Sequence, residues 1–185
     1  MKNFKRKNLL FSLCGLNCGL CPMYLDKYCP GCGGGKGNQS CSIAKCSIER
    51  EKVEYCFQCD SFPCKNYKDA DKYDSFITHK NRINDIKKVK KIGIEKYSHI
   101  LKRKQEILHF LLSNYNNGRK KTFFCVAINL LELEEIEYVI AKLKNNKIDQ
   151  LDLEERCNYA VNLFQEIAVQ KNLEFKLNRK TKKKR

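Results

Sequence analysis

The cysteine residues of this chain are concentrated in one short stretch. Ten of its twelve cysteines lie between positions 14 and 64 of 185 residues. Their order is Cys14-x3-Cys18-x2-Cys21-x7-Cys29-x2-Cys32-x8-Cys41-x4-Cys46-x9-Cys56-x2-Cys59-x4-Cys64. A gap of two residues, as in Cys18/Cys21, Cys29/Cys32 and Cys56/Cys59, lets one tight turn aim two sulfurs at a metal ion. With the looser pair Cys41/Cys46, the spacing predicts two four-thiolate sites and leaves Cys14 and Cys64 over.

The same stretch has little else from which to build a core. Glycines and prolines are frequent in it, which favours turns over long helices or strands. Its main large apolar residues are Leu16, Leu20, Tyr24, Ile43, Ile48, Phe57 and Phe62. A structural zinc ion contributes an apparent folding free energy of about 10–16 kcal/mol. Two such ions would therefore decide whether this region folds.

Zinc held by four thiolates is the first expectation for paired Cys-x-x-Cys motifs. Iron–sulfur clusters also take four cysteines, but the ferredoxin run of successive Cys-x-x-Cys gaps ending in Cys-Pro is absent. The candidate metal ligands are Cys14, Cys18, Cys21, Cys29, Cys32, Cys41, Cys46, Cys56, Cys59 and Cys64. The sequence does not say which of them share a metal ion, so the partition stays open.

Two other uses of the cysteines are alternatives to metal binding by thiolate pairs. A disulfide framework requires export, yet the apolar stretch after the basic residues 2–7 is shorter than a signal-peptide core and no small-residue cleavage site follows. We therefore expect a cytoplasmic protein, in which structural disulfides are rare. The triplet Cys14-x3-Cys18-x2-Cys21 also matches the spacing of radical S-adenosylmethionine enzymes. Strand–helix repeats, which those enzymes need around the triplet, are missing here.

The rest of the chain predicts helices. Apolar residues recur at helical spacing between residues 94 and 115, within a segment, 71–117, that we predict to be helical. The segment 122–131 is apolar on nearly every side, which leaves strand or helix open and favours a helix. Segments 132–144 and 152–170 predict two more amphipathic helices, and a short strand is expected at 173–177.

These patterns predict a mostly α fold with little β structure. An irregular, Cys-rich and metal-stapled N-terminal module is expected to pack on a C-terminal helical domain. The predicted limits are residues 1–70 for the module, 71–178 for the helical domain and 179–185 for a basic tail. Without an apolar run of about 20 residues, no transmembrane helix is expected.

The remaining cysteines and the histidines are expected to play structural roles. Cys125 lies in the buried apolar run and Cys157 on a predicted helix, where each is expected to pack as a small apolar side chain. His79, His99 and His109 are expected at the surface or with satisfied hydrogen bonds. No nucleophile–base pair and no phosphate-binding loop is recognised, so the sequence does not decide whether the protein is an enzyme.

Most of the formal charge of +16 comes from two segments. Residues 80–104 carry +8 and residues 179–185 carry +6. A basic helix face and a basic tail are typical of nucleic-acid-binding proteins. A general bias of the chain towards lysine and asparagine explains the same charge without a partner. Nucleic acid is therefore one candidate partner, and no membrane partner is expected.

Several blocks of the Cys-rich stretch resemble a bacterial and archaeal family catalogued as domain of unknown function 3795. The blocks are Cys14-Gly15-Leu16-Asn17-Cys18-Gly19-Leu20-Cys21-Pro22, Cys29-Pro30-Gly31-Cys32, Cys41-Ser42-Ile43-Ala44-Lys45-Cys46 and Cys56-Phe57-Gln58-Cys59-Asp60-Ser61-Phe62-Pro63-Cys64. A second block, Asn114–Arg119 with Phe123-Phe124-Cys125, is similar to one in longer members, so the resemblance spans residues 12–131. It implies a cytoplasmic, metal-binding protein and no particular reaction. The basic tail is outside it.

Three functional hypotheses follow from the sequence. The first is a soluble metal-binding protein with two zinc ions in four-cysteine sites. The second is an iron–sulfur or thiol-dependent redox or sulfur-handling enzyme, which would use the surplus Cys14, Cys64 and Cys125. The third is a nucleic-acid-binding regulator that uses the basic segments 80–104 and 179–185.

Overall fold

The computed structural model describes residues 4–37, 41–50, 53–145 and 150–180, with only the backbone of residue 145. The predicted mostly α class is confirmed: seven α-helices and three 3-10 turns, and no strand, occur in those ranges. The helices are α1 (Pro22–Leu25), α2 (Ser42–Glu49), α3 (Arg82–Ile92), α4 (Ile94–Asn114), α5 (Lys121–Leu130), α6 (Leu133–Asn145) and α7 (Leu153–Gln170). The 3-10 turns are Cys18–Leu20, Cys56–Gln58 and Lys65–Tyr67.

The chain forms two compact units. The first comprises Met1–Leu101 and Leu177–Arg185, and the second comprises Lys102–Lys176. The division falls inside α4, whereas the change of composition predicted from the sequence falls at residue 70. The Cys-rich stretch therefore shares its compact unit with α3 and the first turns of α4.

One small cluster of buried side chains lies against the cysteines. Its buried members are Phe4, Leu13, Ile43, Ala44 and Tyr67, and four half-buried cysteines pack against it: Cys14, Cys32, Cys56 and Cys64. Sulfur atoms thus contribute to the apolar contacts of this cluster. Phe11 and Leu20 are also fully buried in the same part of the chain.

A glycine brings α3 close to the Cys-rich stretch. Gly15 has a φ of +93°, and a Cβ there would lie 2.4 Å from the carbonyl oxygen of Arg82, the first residue of α3. Asn17 adds a polar link, because its amide donates to Asp85 at 2.9 Å and its oxygen accepts from the hydroxyl of Tyr97 at 3.0 Å. These contacts join the first cysteine motif to α3 and α4.

The segment before α3 differs from the sequence prediction. Residues 71–81 were expected to be helical with the rest of 71–117, but they form turns and α3 begins only at Arg82. Asp74 accounts for the difference: its carboxylate accepts from the backbone N–H of His79 at 2.7 Å and from that of Asn178 at 2.8 Å. A side chain that binds backbone groups in this way competes with the helix.

In the second unit, three helices surround a dense aromatic core. The α5 helix is buried from Phe124 to Leu130, as its uninterrupted apolar sequence indicated. The rings of Phe123, Phe124, Phe164 and Phe175 pack edge to face. The predicted helices at 122–131, 132–144 and 152–170 are confirmed as α5, α6 and α7.

Local signals explain where α7 begins. Asp152 accepts a hydrogen bond from the N–H of Glu155 at 2.8 Å, and the carboxylate of Glu155 accepts from the N–H of Asp152 at 3.2 Å. This reciprocal capping box satisfies two backbone donors at the helix start. The helix then packs against α6.

The short strand predicted at 173–177 is wrong. The segment is extended, but within the described ranges it has no strand to pair with. The N–H of Leu173 instead returns to the carbonyl of Ala168 at 2.8 Å, and the ring of Phe175 packs on Phe123 with their centroids 5.6 Å apart. Burial of one aromatic side chain, rather than a ladder, fixes this segment. Among the described helices, none is long and apolar enough to cross a bilayer.

Candidate metal centre

Tight turns place the paired cysteines as their spacing indicated. In the first pair, the N–H of Cys21 donates to the carbonyl of Cys18 at 3.0 Å. In the third pair, the N–H of Cys59 donates to the carbonyl of Cys56 at 3.1 Å. Each motif is one turn of 3-10 helix, so each brings two sulfurs to the same side of the chain.

Backbone N–H groups point at several of the sulfurs. Cys21 accepts from the amides that follow it in α1, Cys18 accepts from the N–H of Cys32, and Cys32 accepts from the N–H of Leu13. Cys41 caps α2 by accepting from the N–H of Ala44 at 3.3 Å. Donors of this kind favour the charged form of the sulfur.

Six of the ten sulfurs form what we call the first sulfur group: Cys14, Cys18, Cys21, Cys29, Cys32 and Cys41. Burial raises the pKa of Cys18 well above its ordinary value, and the charges of Cys32, Cys14 and Cys21 add to the shift. Burial also raises the pKa of Cys32 to about 11, to which Cys14 and Cys41 contribute. Burial raises the pKa of Cys21 as well, and the charge of Cys29 adds to that shift. Interactions between charges weaken with distance, so these sulfurs lie near one another.

A buried arginine lies beside the first sulfur group. The Arg6 side chain is 1% exposed and donates to the carbonyls of Phe11 at 2.9 Å and Glu54 at 3.0 Å. Its charge lowers the pKa of Cys32, against the effect of burial. The sequence gives no sign that Arg6 is buried, because nothing in a basic N-terminal run distinguishes the one cation that becomes buried.

The other four sulfurs form the second sulfur group: Cys46, Cys56, Cys59 and Cys64. All four line one cavity of about 30 Å³, together with apolar side chains that include Leu13 and Phe62. Burial raises the pKa of Cys56 to about 12, and the charges of Cys14, Cys64 and Cys46 act in the same direction. The guanidinium of Arg50 donates a hydrogen bond to the sulfur of Cys59 at 3.7 Å.

Tyr67 connects the second group to the fold. Its hydroxyl donates to the carbonyl of Cys14 at 3.3 Å and is hydrogen-bonded to the side chain of Cys56. Burial raises the pKa of Tyr67, so the hydroxyl keeps its proton and remains a donor. The guanidinium of Arg82, the first residue of α3, lies 5.1 Å from the centre of the Tyr67 ring. It also forms an ion pair with Asp71 at 2.8 Å.

All ten predicted ligands lie within the described ranges, and the ten form no disulfide bond. In the part of the chain that the structure describes, no set of three or more His, Cys, Asp or Glu side chains stands at metal-binding spacing. The structure thus brings the ten sulfurs into two neighbourhoods. Their roles as ligands stay predictions.

The cysteines and histidines outside this stretch lie where the sequence predicts. Cys125 and Cys157 are 3% and 0% exposed, in α5 and α7. His79 is half-buried, with its ring nitrogens 3.0 Å from the carbonyl of Ala70 and from the hydroxyl of Ser75. His99 and His109 are exposed on α4.

The basic segment 80–104 is not a uniform surface. Arg82 and Lys104 are buried, and Lys104 donates to the carbonyl of Leu131. Arg103 pairs with Glu106 at 3.2 Å and with Glu137 at 3.0 Å. The exposed lysines of the first unit in this segment are Lys80, Lys87, Lys90, Lys91 and Lys96. Most of the predicted tail 179–185 lies outside the described residues, which end at residue 180.

Residues 10–69 match the model of a family described as "Protein of unknown function (DUF3795)". The matched range contains all ten clustered cysteines, so the resemblance inferred from the cysteine blocks is confirmed there. The block around Cys125 and the basic tail lie beyond the matched range. No curated protein and no solved structure matches the chain.

Proposed function

We propose that the Cys-rich region spanning residues 10–69 binds zinc through cysteine thiolates, in two four-cysteine sites that stabilise its fold. The observation that supports this best is that Cys46, Cys56, Cys59 and Cys64 line one cavity, beside a small cluster of buried side chains against which other cysteines pack. With few large apolar side chains buried across sixty residues, the region needs another source of folding free energy. Four-thiolate zinc sites supply it in small domains.

The donor set fits such an ion. Burial raises the pKa values of Cys18, Cys32 and Cys56, so these thiols keep their protons unless a metal cation replaces those protons. A coordinating metal ion deprotonates its thiols. Nearby groups of the chain would then stabilise the resulting thiolate charge. Backbone amides donate to the sulfurs, and Arg6 lies beside Cys32.

An iron–sulfur cluster would use the same donors and is the alternative metal chemistry. The related hypothesis of a thiol-dependent enzyme drew on Cys14, Cys64 and Cys125. Cys125 is buried at 3% exposure, which argues against a reactive thiol at that position. Metal identity therefore separates the remaining readings of this region.

The test is the metal content and visible spectrum of the full chain purified without oxygen. We expect about two zinc ions per chain, no visible absorption, and eight of the ten clustered thiols to react with a thiol reagent only after a chelator is added. Less than one metal ion per chain, with thiols that react at once, would refute the proposal. A coloured protein with iron and sulfide would replace zinc by the iron–sulfur alternative.

The exposed lysines of α3 and the start of α4 favour a second candidate, binding to nucleic acid. The two carboxylates of the same segment, Asp85 and Glu95, offset only part of the charge of its lysines. Exchange of Lys87, Lys90, Lys91 and Lys96 for glutamine should then abolish most of the salt-dependent affinity for duplex DNA or RNA. Unchanged affinity at low salt would exclude this surface as the contact.

A further inference from the structure

We propose that Cys46, Cys56, Cys59 and Cys64 bind one metal ion as a complete set, and that Cys41 belongs to the other site. The inference depends on the metal binding proposed above and adds the partition of the ligands. Sequence spacing suggests a different grouping, in which Cys41 and Cys46 form a pair and Cys64 is left over.

The four cysteines of the second sulfur group line a single cavity. Cys46 comes from α2, Cys56 and Cys59 from a 3-10 turn, and Cys64 from the segment after it, yet all four line the same space. Four cysteines that line one space match the ligand composition of a four-cysteine zinc site.

Helix α2 separates Cys41 from Cys46. Cys41 caps the helix and Cys46 lies five positions later, which is a rotation of about 140° around the helix axis. Residues three or four apart share a helix face, so residues five apart point in different directions. Cys46 lines the cavity with Cys56, Cys59 and Cys64, whereas Cys41 does not line it. The helix therefore places Cys46 in the second sulfur group and leaves Cys41 to the first.

The chain after α2 folds so that the remaining three sulfurs return to Cys46. The turn at Cys56–Gln58 is followed by a second turn, in which the N–H of Phe62 donates to the carbonyl of Cys59 at 3.0 Å. Four thiolates and a divalent ion carry a net charge of −2. Arg50, which follows α2 and reaches the sulfur of Cys59, supplies a cation at the open side of the cavity.

Cys14 is the competing ligand, because it packs against the same small buried cluster as Cys56 and Cys64. It does not line the cavity, and its sulfur lies 3.3 Å from the hydroxyl of Ser12. We therefore assign Cys14 to the first sulfur group.

The experiment replaces zinc by cadmium-113 in the intact chain and records a proton–cadmium correlation spectrum. The β-protons of a cysteine couple to the cadmium ion that its sulfur binds, so the spectrum identifies ligands without any substitution. We expect Cys46, Cys56, Cys59 and Cys64 to share one cadmium resonance, and Cys41 to correlate with another.

A matched pair of variants completes the test. Cys46→Ser should remove the resonance assigned to the second group and leave the other, whereas Cys125→Ala should leave both unchanged. A shared resonance of Cys41 with Cys46, or of Cys14 with Cys56, would overturn the partition while the proposed metal binding stands. A chain that binds no cadmium at all would overturn both proposals.

Discussion

The two compact units use cysteine in different ways. In the second unit, Cys125 and Cys157 are buried in helices among apolar side chains and act as small core residues. In the first unit, the ten clustered cysteines are half-buried or exposed, and all but Cys46 lie outside the α-helices. One of them, Cys41, accepts a hydrogen bond from the backbone N–H of Ala44. Burial alone thus separates packing cysteines from candidate ligands, although the residue type is the same.

The cores of the units differ in the same sense. The second unit fully buries large side chains such as Phe124, Phe164 and Ile136. The Cys-rich part of the first unit fully buries Phe11, Leu13 and Leu20, and half-buried sulfurs pack against the buried cluster that includes Leu13. We therefore expect the Cys-rich part to depend on metal for its fold and the second unit to be independent of it.

Removal of metal should have the largest effect. An apparent stabilisation of about 10–16 kcal/mol for each zinc ion matches or exceeds the whole stability of a typical domain. A strong chelator should therefore unfold the Cys-rich part while α5 and α7 persist. Hydrogen exchange read peptide by peptide should show lost protection across residues 10–69 and little change across residues 121–170. Equal loss in both regions would contradict the comparison, and so would no loss in either.

A large-to-small substitution in the second unit should give the converse result. Phe124 is fully buried in α5, and its exchange for alanine should cost about 3–5 kcal/mol of unfolding free energy. Metal content should stay at the wild-type value, because residue 124 lies in the unit without sulfur groups. Denaturant unfolding followed by helical circular dichroism measures the first effect. Loss of metal from Phe124→Ala would show that the two regions are not independent.

A smaller effect is expected where a glycine meets α3. Gly15→Ala should cost about 1–2 kcal/mol for the positive φ, and more because the new methyl group meets the carbonyl of Arg82. Gly93 is the matched control, since it has a φ of +86° and no atom within 4 Å of a Cβ built there. Comparison of the two alanine variants by thermal unfolding of the metal-loaded protein isolates the close contact.

If Gly93→Ala is as destabilising as Gly15→Ala, the close approach of α3 to the first cysteine motif contributes nothing measurable. If Gly15→Ala is the more destabilising, as we expect, the same variant should also exchange its metal faster. That outcome would link the position of α3 to the sulfur groups.

The sequence predicted α6 and α7 well because their apolar residues recur with a helical period, whereas the uninterrupted apolar run of α5 left strand or helix open. It failed at residues 71–81, where Asp74 binds the backbone of both His79 and Asn178, a residue far along the chain. It failed again at 173–177, where an isolated buried Phe175 resembles the alternation of a strand. In both cases the deciding contact is one that periodicity does not report.

The candidate site divides along the same line. Tight turns at Cys18/Cys21 and Cys56/Cys59 follow from spacing, since the two-residue gap fixes the local geometry. The grouping of Cys46 with Cys64 does not follow from spacing, because it depends on how the chain turns back after α2. Arg6 and Tyr67, which lie beside the sulfurs, carry no local motif and became visible only in the fold.

By itself, the sequence determined that this chain is mostly helical, that ten cysteines are concentrated in one stretch, and that two others pack in a core. These conclusions depend on residue type, spacing and period, which act over a few residues. Only the tertiary structure decided that the sulfurs divide into two groups, that α2 contributes one cysteine to each, and which cations are buried. Those features depend on distances between segments remote in sequence, which are set by packing.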